Sequence, residues 1–233
     1  MPFDLKKWIE NLYVPDRPDE FEVKTILSEY GISVPNGLRL MPDDPPSAFH
    51  LNSPFVVKVC SGNIIHKTEH KGVALGIKNA EIDDVIRQFR NNFPRSPILI
   101  EEMIYFEGPE FIVGALVDPS FGPAVMVGAG GIFTEIFKDV SFRLAPCPAE
   151  EACRMIHELS MAPVFEGFRK LSIDAEGLAA IISKVGNFAA DMGDRFSQLD
   201  INPIVYTQSG WITLDAKMVL EGESETAKMP SSG

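Results

Sequence analysis

Cysteine is scarce in this 233-residue chain, with three in all. Cys60, Cys147 and Cys153 are odd in number and show no Cys-x-x-Cys spacing. That excludes a disulfide framework and a zinc ribbon and points to buried thiols in a reducing compartment. Positive charge is the next shortage: 21 Lys and Arg against 33 Asp and Glu give a net charge of −12, and no basic run of five or more residues occurs. Phosphate-backbone attraction therefore gives no ground for nucleic-acid binding, and an anionic ligand must be held by local cations. Long apolar runs are missing as well. No stretch of about 18 apolar residues occurs, and the first residues, Met1-Pro2-Phe3-Asp4-Leu5-Lys6-Lys7-Trp8, carry neither a long apolar segment nor a small-residue cleavage site. The expectation is a cytoplasmic protein with no membrane contact.

What the chain does have is an ordinary globular composition, 45% apolar and 23% charged. Its length suits one large domain or two small lobes, and two lobes around a cleft are expected. Phe3, Leu5, Trp8, Ile9 and Leu12 fall at helical spacing before Pro15-Asp16-Arg17-Pro18, which predicts a short helical extension over residues 1–18. Its apolar stripe packs on its own domain or docks a partner chain. A second helix is predicted from Asp19 to Tyr30 with Gly31 as its stop, then a short strand over Ile32 to Pro35. Further helices are expected at Ile82 to Phe93, Pro148 to Leu159 and Asp174 to Ala190. Strands are expected at 51–60, 73–77, 98–104, 110–116, 123–127, 201–206 and 211–215. After Leu220 the composition turns to Glu, Ser, Gly and Pro, which predicts a loose tail over 222–233.

Three pieces carry chemistry. Lys58 sits in the apolar strand Phe55-Val56-Val57-Lys58-Val59, where a lysine is costly unless its ammonium meets an anion. A nucleotide phosphate satisfies it; an edge-strand lysine snorkelling to water is the other reading. Gly128-Ala129-Gly130-Gly131 offers approachable backbone amides of the kind that cradle phosphate, or a plain tight turn, with Glu135, Lys138, Asp139 and Arg143 as a possible charged rim. Asp200 and Asn202 lie two apart on one strand face, and a hairpin brings Asp215 alongside them. Such oxygen ligands suit magnesium, or else they cap turns. His66 follows Lys58 in a polar loop. Its spacing to His70 is not on a helix face, which argues against zinc.

The same residues, taken together, resemble a known family. Phe55-Val56-Val57-Lys58-Val59, Ile65-His66-Lys67-Thr68-Glu69, Ile100-Glu101-Glu102-Met103, Gly128-Ala129-Gly130-Gly131-Ile132-Phe133, Leu199-Asp200-Ile201-Asn202-Pro203 and Leu214-Asp215-Ala216-Lys217 are similar, in order and spacing, to the ATP-grasp domain of NDP-forming acyl-CoA synthetases. The likeness spans about residues 20–221, and the chain has the size of a separate β subunit of the ADP-forming acetate-CoA ligase type. The resemblance implies an α/β (α+β) ATP-grasp fold of two lobes, 19–104 and 105–221, each with a sheet and packed helices and the nucleotide between them. It implies ATP or ADP with Mg2+ as ligands, and a CoA-binding α subunit as partner in a heterotetramer of two α and two β subunits. The partner forms an acyl phosphate and a phosphohistidine whose loop travels to the cleft. By the same resemblance Lys58 meets nucleotide phosphates, Glu101, Glu102, Met103 and Ile104 meet the adenine, and Glu110, Gly130 and Gly131 complete the nucleotide site. Asn202 and Asp215 bind magnesium with Asp200 behind them, and His66 is a second phosphoryl carrier. A lone ATP-grasp carboxylate ligase and a nucleotide-sensing module are the competing readings. The proline-rich segment 42–52 and His70-Lys71-Gly72 depart from the family pattern.

Overall fold

The computed structural model describes residues 3–45, 50–61, 72–131, 139–167 and 173–221. Two antiparallel sheets organise it. The smaller holds β1 (Gly37–Leu40), β2 (Phe55–Val59), β3 (Val73–Ile77) and β4 (Ile98–Glu102) in the order β1-β4-β2-β3. The larger runs β10-β8-β5-β6-β7, with β9 also paired to β8. Its strands are β5 (Phe111–Asp118), β6 (Gly122–Ala129), β7 (Val140–Leu144), β8 (Phe196–Thr207), β9 (Gly210–Thr213) and β10 (Ala216–Leu220). Among the described residues five α-helices accompany them: α1 (Leu5–Glu10), α2 (Glu20–Glu29), α3 (Ile82–Asn92), α4 (Ala149–Glu158) and α5 (Ala175–Met192).

Strand alternation sets what faces the space between the sheets. On β2, Phe55 and Val57 point into the small core with Ile98 and Ile100 of β4 and with Ile82, Ile86 and Phe89 of α3. Period-2 geometry then turns Val56 and Lys58, and across the ladder Glu101 and Leu99, to the opposite face. The 3.6-residue spacing of Ile82, Ile86 and Phe89 explains why α3 covers one side of this sheet only.

The larger core takes Val113, Ala115, Val125 and Val127 of the sheet under Leu178, Ile182, Val185 and Phe188 of α5 and Ala152, Met155 and Ile156 of α4. It also takes Val23, Ile26 and Leu27 of α2, Ile32 and Leu12, with Leu5, Trp8 and Ile9 of α1 packed against it. The N-terminal stripe thus covers its own chain. The second helix belongs physically to the larger body and reaches the smaller sheet through Glu20, Glu22 and Lys24 and through the Phe21 ring.

The elements differ from expectation at the sheet edges: β7 and β10 close the larger sheet at 140–144 and 216–220, where the sequence pattern predicts no strand. Ile32 to Pro35 forms no strand; the chain pairs later, at Gly37–Leu40 against β4. Gly37 explains why that edge fits, since a Cβ there would lie 2.9 Å from Glu101 Cγ and 3.0 Å from the Ile100 carbonyl oxygen. Cys60 and Cys147 are buried and Cys153 is half-buried, all three unbridged. Among the described residues no helix is long and apolar enough to cross a membrane.

Candidate active-site cleft

The site begins at the N-terminus of α2. Asp19 caps the helix through the Glu22 N–H, and the Glu22 side chain returns a bond to the Asp19 N–H, a reciprocal capping box. Glu20 and Lys24 follow, an i,i+4 pair whose side chains are 0% and 4% exposed. With Val23 and Leu27 they occupy positions i, i+3, i+4 and i+7, so two charges sit in the buried stripe of the helix.

These charges meet the cleft face of the small sheet. Lys58 Nζ lies 2.5 Å from Glu20 Oε1, 3.1 Å from Glu101 Oε2 and 2.7 Å from the Leu214 carbonyl oxygen. Lys24 Nζ lies 2.8 Å from Glu20 Oε1, 2.5 Å from Glu101 Oε1 and 2.8 Å from the same Leu214 oxygen. Two lysines and two glutamates therefore cross-link α2, the small sheet and the end of β9. Burial pulls the Lys58 ammonium down, but the charges of Glu20, Glu101 and Asp215 and the Glu20 hydrogen bond outweigh it and raise its pKa. Lys58 is thus a charged interior lysine and not a snorkelling one. Asp215 also lies within electrostatic reach of Lys58.

A second polar link lies beside the first. Arg39 of β1 donates to Asp19 Oδ2 at 2.7 Å and lies 3.1 Å from Glu22 Oε1, with its guanidinium 5.2 Å from the Phe21 ring centre and 5.7 Å from that of Tyr13. Beside Lys24 and Glu101 a pocket of about 490 Å³ opens, lined also by Thr25, Ser28, Asn36 and Gly37 among others.

The magnesium candidates stand on the larger sheet. Asn202 and Asp200 share one face of β8, and the Asn202 N–H donates to the Asp215 carbonyl oxygen at 3.1 Å. Asp200, half-buried opposite Lys217 of β10, has its pKa raised by burial, with Lys217 opposing the shift. Among the described residues no group of three His, Cys, Asp or Glu side chains is placed to hold a metal. Two carboxylates and an amide suit a cation that completes its shell with phosphate oxygens and water, the habit of magnesium.

The glycine strip is also built as a close approach. The Gly130 N–H donates to the Glu110 carbonyl oxygen at 2.8 Å, and a Cβ on Gly130 would fall 2.8 Å from backbone atoms of Glu110 and Phe111. Gly131 has a φ of +61°, and a Cβ there would lie 2.7 Å from Glu110 Oε2. Glu110, Gly130 and Gly131 are therefore neighbours. At the end of β4 Glu102, unlike Glu101, faces outward and accepts from Asn36 Nδ2 at 3.0 Å and from the Asn52 N–H and Nδ2 at 2.7 Å each. The Asn52 and Asn36 bonds lower its pKa against burial. The Met103 N–H binds the Pro54 carbonyl oxygen at 2.9 Å, and Ile104 is half-buried after it.

Some expected members are elsewhere. Arg143 does not rim the glycine strip; it pairs with Glu151 and Glu158 of α4. Asp139 accepts from the Ser160 and Met161 N–H groups, fixing the end of the same helix. His66, Glu135 and Lys138 lie outside the described residues. Apolar periodicity alone does not single out Glu20 and Lys24. Their i,i+4 spacing inside the stripe of α2 was the available signal.

Two antiparallel sheets facing each other across a buried cluster of lysines and acids define a two-lobed α+β cleft protein. The ATP-grasp domain model matches residues 16–220, so the chain belongs to the ATP-grasp family. It is 40% identical over 91% of its length, and 96% of the relative, to the β subunit of the ADP-forming acetate–CoA ligase I of Pyrococcus furiosus. A solved protein of Pyrococcus horikoshii superposes with a TM-score of 0.83 at 31% identity, over 96% of this chain and all of that one. The acetyl-coenzyme A synthetase 1 of Ca. Korarchaeum cryptofilum superposes with a TM-score of 0.75 at 30% identity, over 89% of this chain and 94% of that one. It was solved with coenzyme A and Mg-AMPPCP, its phosphohistidine segment pointing towards the nucleotide binding site.

Proposed function

We propose that this chain is the nucleotide-binding β subunit of an ADP-forming acyl-CoA synthetase. With a CoA-binding α subunit it interconverts acyl-CoA, ADP and phosphate with free acid, CoA and ATP. The observation that carries the reading is the match to a separate β subunit over 96% of that subunit's length.

In this reading phosphoryl transfer occurs between the partner's phosphohistidine and ADP held between the sheets. Such transfer needs in-line positioning and charge neutralisation more than covalent work by the protein. Lys58 supplies a fixed positive charge for the phosphates, and Glu110, Gly130 and Gly131 let backbone approach them. Glu101 to Ile104 line the adenine end. Asn202 and Asp215 would hold magnesium, with Asp200 behind them. When bound, it would supply positive charge against the phosphates. His66 serves as a second phosphoryl carrier, its neutral imidazole being nucleophilic near pH 7. Two copies of each subunit form the working assembly, in the cytoplasm.

The test is ATP formation from acetyl-CoA, ADP and phosphate by the purified chain, alone and with its CoA-binding partner. Activity is expected only from the pair. Turnover by the chain alone would overturn the two-subunit reading, and undiminished turnover by His66→Ala would remove the second-carrier role.

A further inference from the structure

Lys24 and Lys58 compete for one set of acceptors. Both ammonium groups lie within 3.1 Å of Glu20, Glu101 and the Leu214 carbonyl oxygen. An ammonium has three N–H donors, so each lysine is already complete with those three oxygens. A nucleotide phosphate takes Lys58 only if Lys58 gives up at least one of them.

That release has a cost that depends on what stays behind. Glu20 is 0% exposed at its side chain and Glu101 4%. A buried carboxylate that loses its only cation is strongly unfavourable. Here the loss is covered, because Lys24 is bonded to both glutamates and to the carbonyl. The two lysines also differ in what holds them. Lys24 rises from a helix anchored in the larger core by Val23, Ile26 and Leu27, whereas Lys58 rises from the small sheet.

We propose that Lys24 is a positioning residue for nucleotide binding: it remains on Glu20, Glu101 and the Leu214 carbonyl and so lets Lys58 transfer to the phosphate. The cluster is then a two-position switch. Without nucleotide, both lysines share the carboxylates and tie the small sheet to α2. With nucleotide, Lys24 alone neutralises them. Glu20 is the competitor that nucleotide phosphate must displace. The proposal rests on the reading of Lys58 as the phosphate lysine.

The test is the Kd for MgADP by calorimetry on the full chain and four variants, with thermal midpoints alongside. Lys58→Met should weaken binding at least about tenfold, and Lys24→Met by a similar factor, while the double variant binds no worse than Lys58→Met. Glu20→Gln should bind MgADP more tightly than the parent although it unfolds at lower temperature. That opposite movement of affinity and stability is something a merely structural role does not produce, and it keeps the test open if Lys24→Met fails to fold. Wild-type affinity in Lys58→Met would overturn the underlying assignment of Lys58. Weakened binding in Lys58→Met with wild-type affinity in Lys24→Met would overturn the role of Lys24 alone. Additive losses in the double variant would also overturn it, since Lys24 would then act on the nucleotide independently, and so would weaker binding by Glu20→Gln.

Discussion

Pro203 and Leu214 face each other across the β8 pairing, and only one of their two possible hydrogen bonds exists. The Leu214 N–H donates to the Pro203 carbonyl oxygen at 2.9 Å. Thr213 lies opposite Ile204 and Ala216 opposite Ile201, and Leu214 and Asp215 run between these two paired stretches alongside Asn202 and Pro203. Proline has no N–H to return. The Leu214 carbonyl is thereby left to Lys24 and Lys58, which both donate to it. A missing donor in the larger sheet thus leaves an acceptor for the charges of α2 and the small sheet.

Supplying that donor should weaken the cluster. In Pro203→Ala the new N–H competes for the Leu214 oxygen, and bonds to charged groups are worth about 1.5–3 kcal/mol. Urea unfolding of Pro203→Ala, Lys24→Met and the double variant forms a cycle that separates this effect from other consequences of losing the proline. A coupling of about 1 kcal/mol is expected. Strict additivity would mean that the carbonyl contributes nothing to Lys24.

The second cross-link invites a different comparison. Arg39 joins β1 to Asp19 and Glu22 while lying against Phe21 and Tyr13. Its side chain is 20% exposed, so the pair keeps some solvent screening. Arg39→Ala should cost about 1–3 kcal/mol. Arg39→Lys should recover less than half, because an ammonium is a compact point charge that lacks the planar guanidinium's geometry for two carboxylates and two rings. Equal stability of the Lys variant and the parent in urea melts would reduce the link to simple charge.

How much of this was legible depends on the kind of pattern. Val73–Ile77 as a strand and Ile82–Asn92 as a helix follow from local apolar periodicity, and the structure has both. Lys58 stood out because a charge inside Phe55-Val56-Val57-Lys58-Val59 breaks the period. The identity of its nearest partner did not follow, because Glu20 is 38 residues away and its contact depends on which core α2 joins. Val23, Ile26 and Leu27 show that α2 buries a face without showing which sheet it covers. Arg143 misled for the complementary reason. It neighbours the glycine strip in sequence, but strand alternation turns it to the helical side of β7, onto Glu151 and Glu158.

The glycine strip separates two causes of intolerance. At Gly130 an added methyl meets backbone at 2.8 Å, which no rotamer change relieves. Gly130→Ala should therefore destabilise by about 1–3 kcal/mol, as overpacking does. At Gly131 the methyl meets the Glu110 carboxylate at 2.7 Å, the far end of a flexible side chain, but φ is +61°. Adding Glu110→Ala should recover only part of the loss in Gly131→Ala, since the left-handed backbone still disfavours a Cβ. Full recovery in thermal melts would assign the whole penalty to the carboxylate contact.

Asp200 gives a dependence on pH whose sign is fixed. Its folded pKa is raised above the ordinary 3.8 because burial disfavours the carboxylate more than Lys217 favours it. The folded state therefore holds this proton more tightly than the unfolded chain does. Its contribution to stability is most favourable below the ordinary value and is lost as pH rises through the raised one. Asp200→Asn removes the buried charge, so without magnesium the variant should be more stable than the parent at about pH 7, with the difference shrinking towards about pH 4. Added magnesium and ADP should reverse the order if Asp200 supports the metal, because only the parent keeps the negative charge that a divalent cation favours. Melting curves at both pH values, with and without MgADP, check both signs. An Asn variant that is less stable at neutral pH without ligand would mean that the Lys217 attraction outweighs burial.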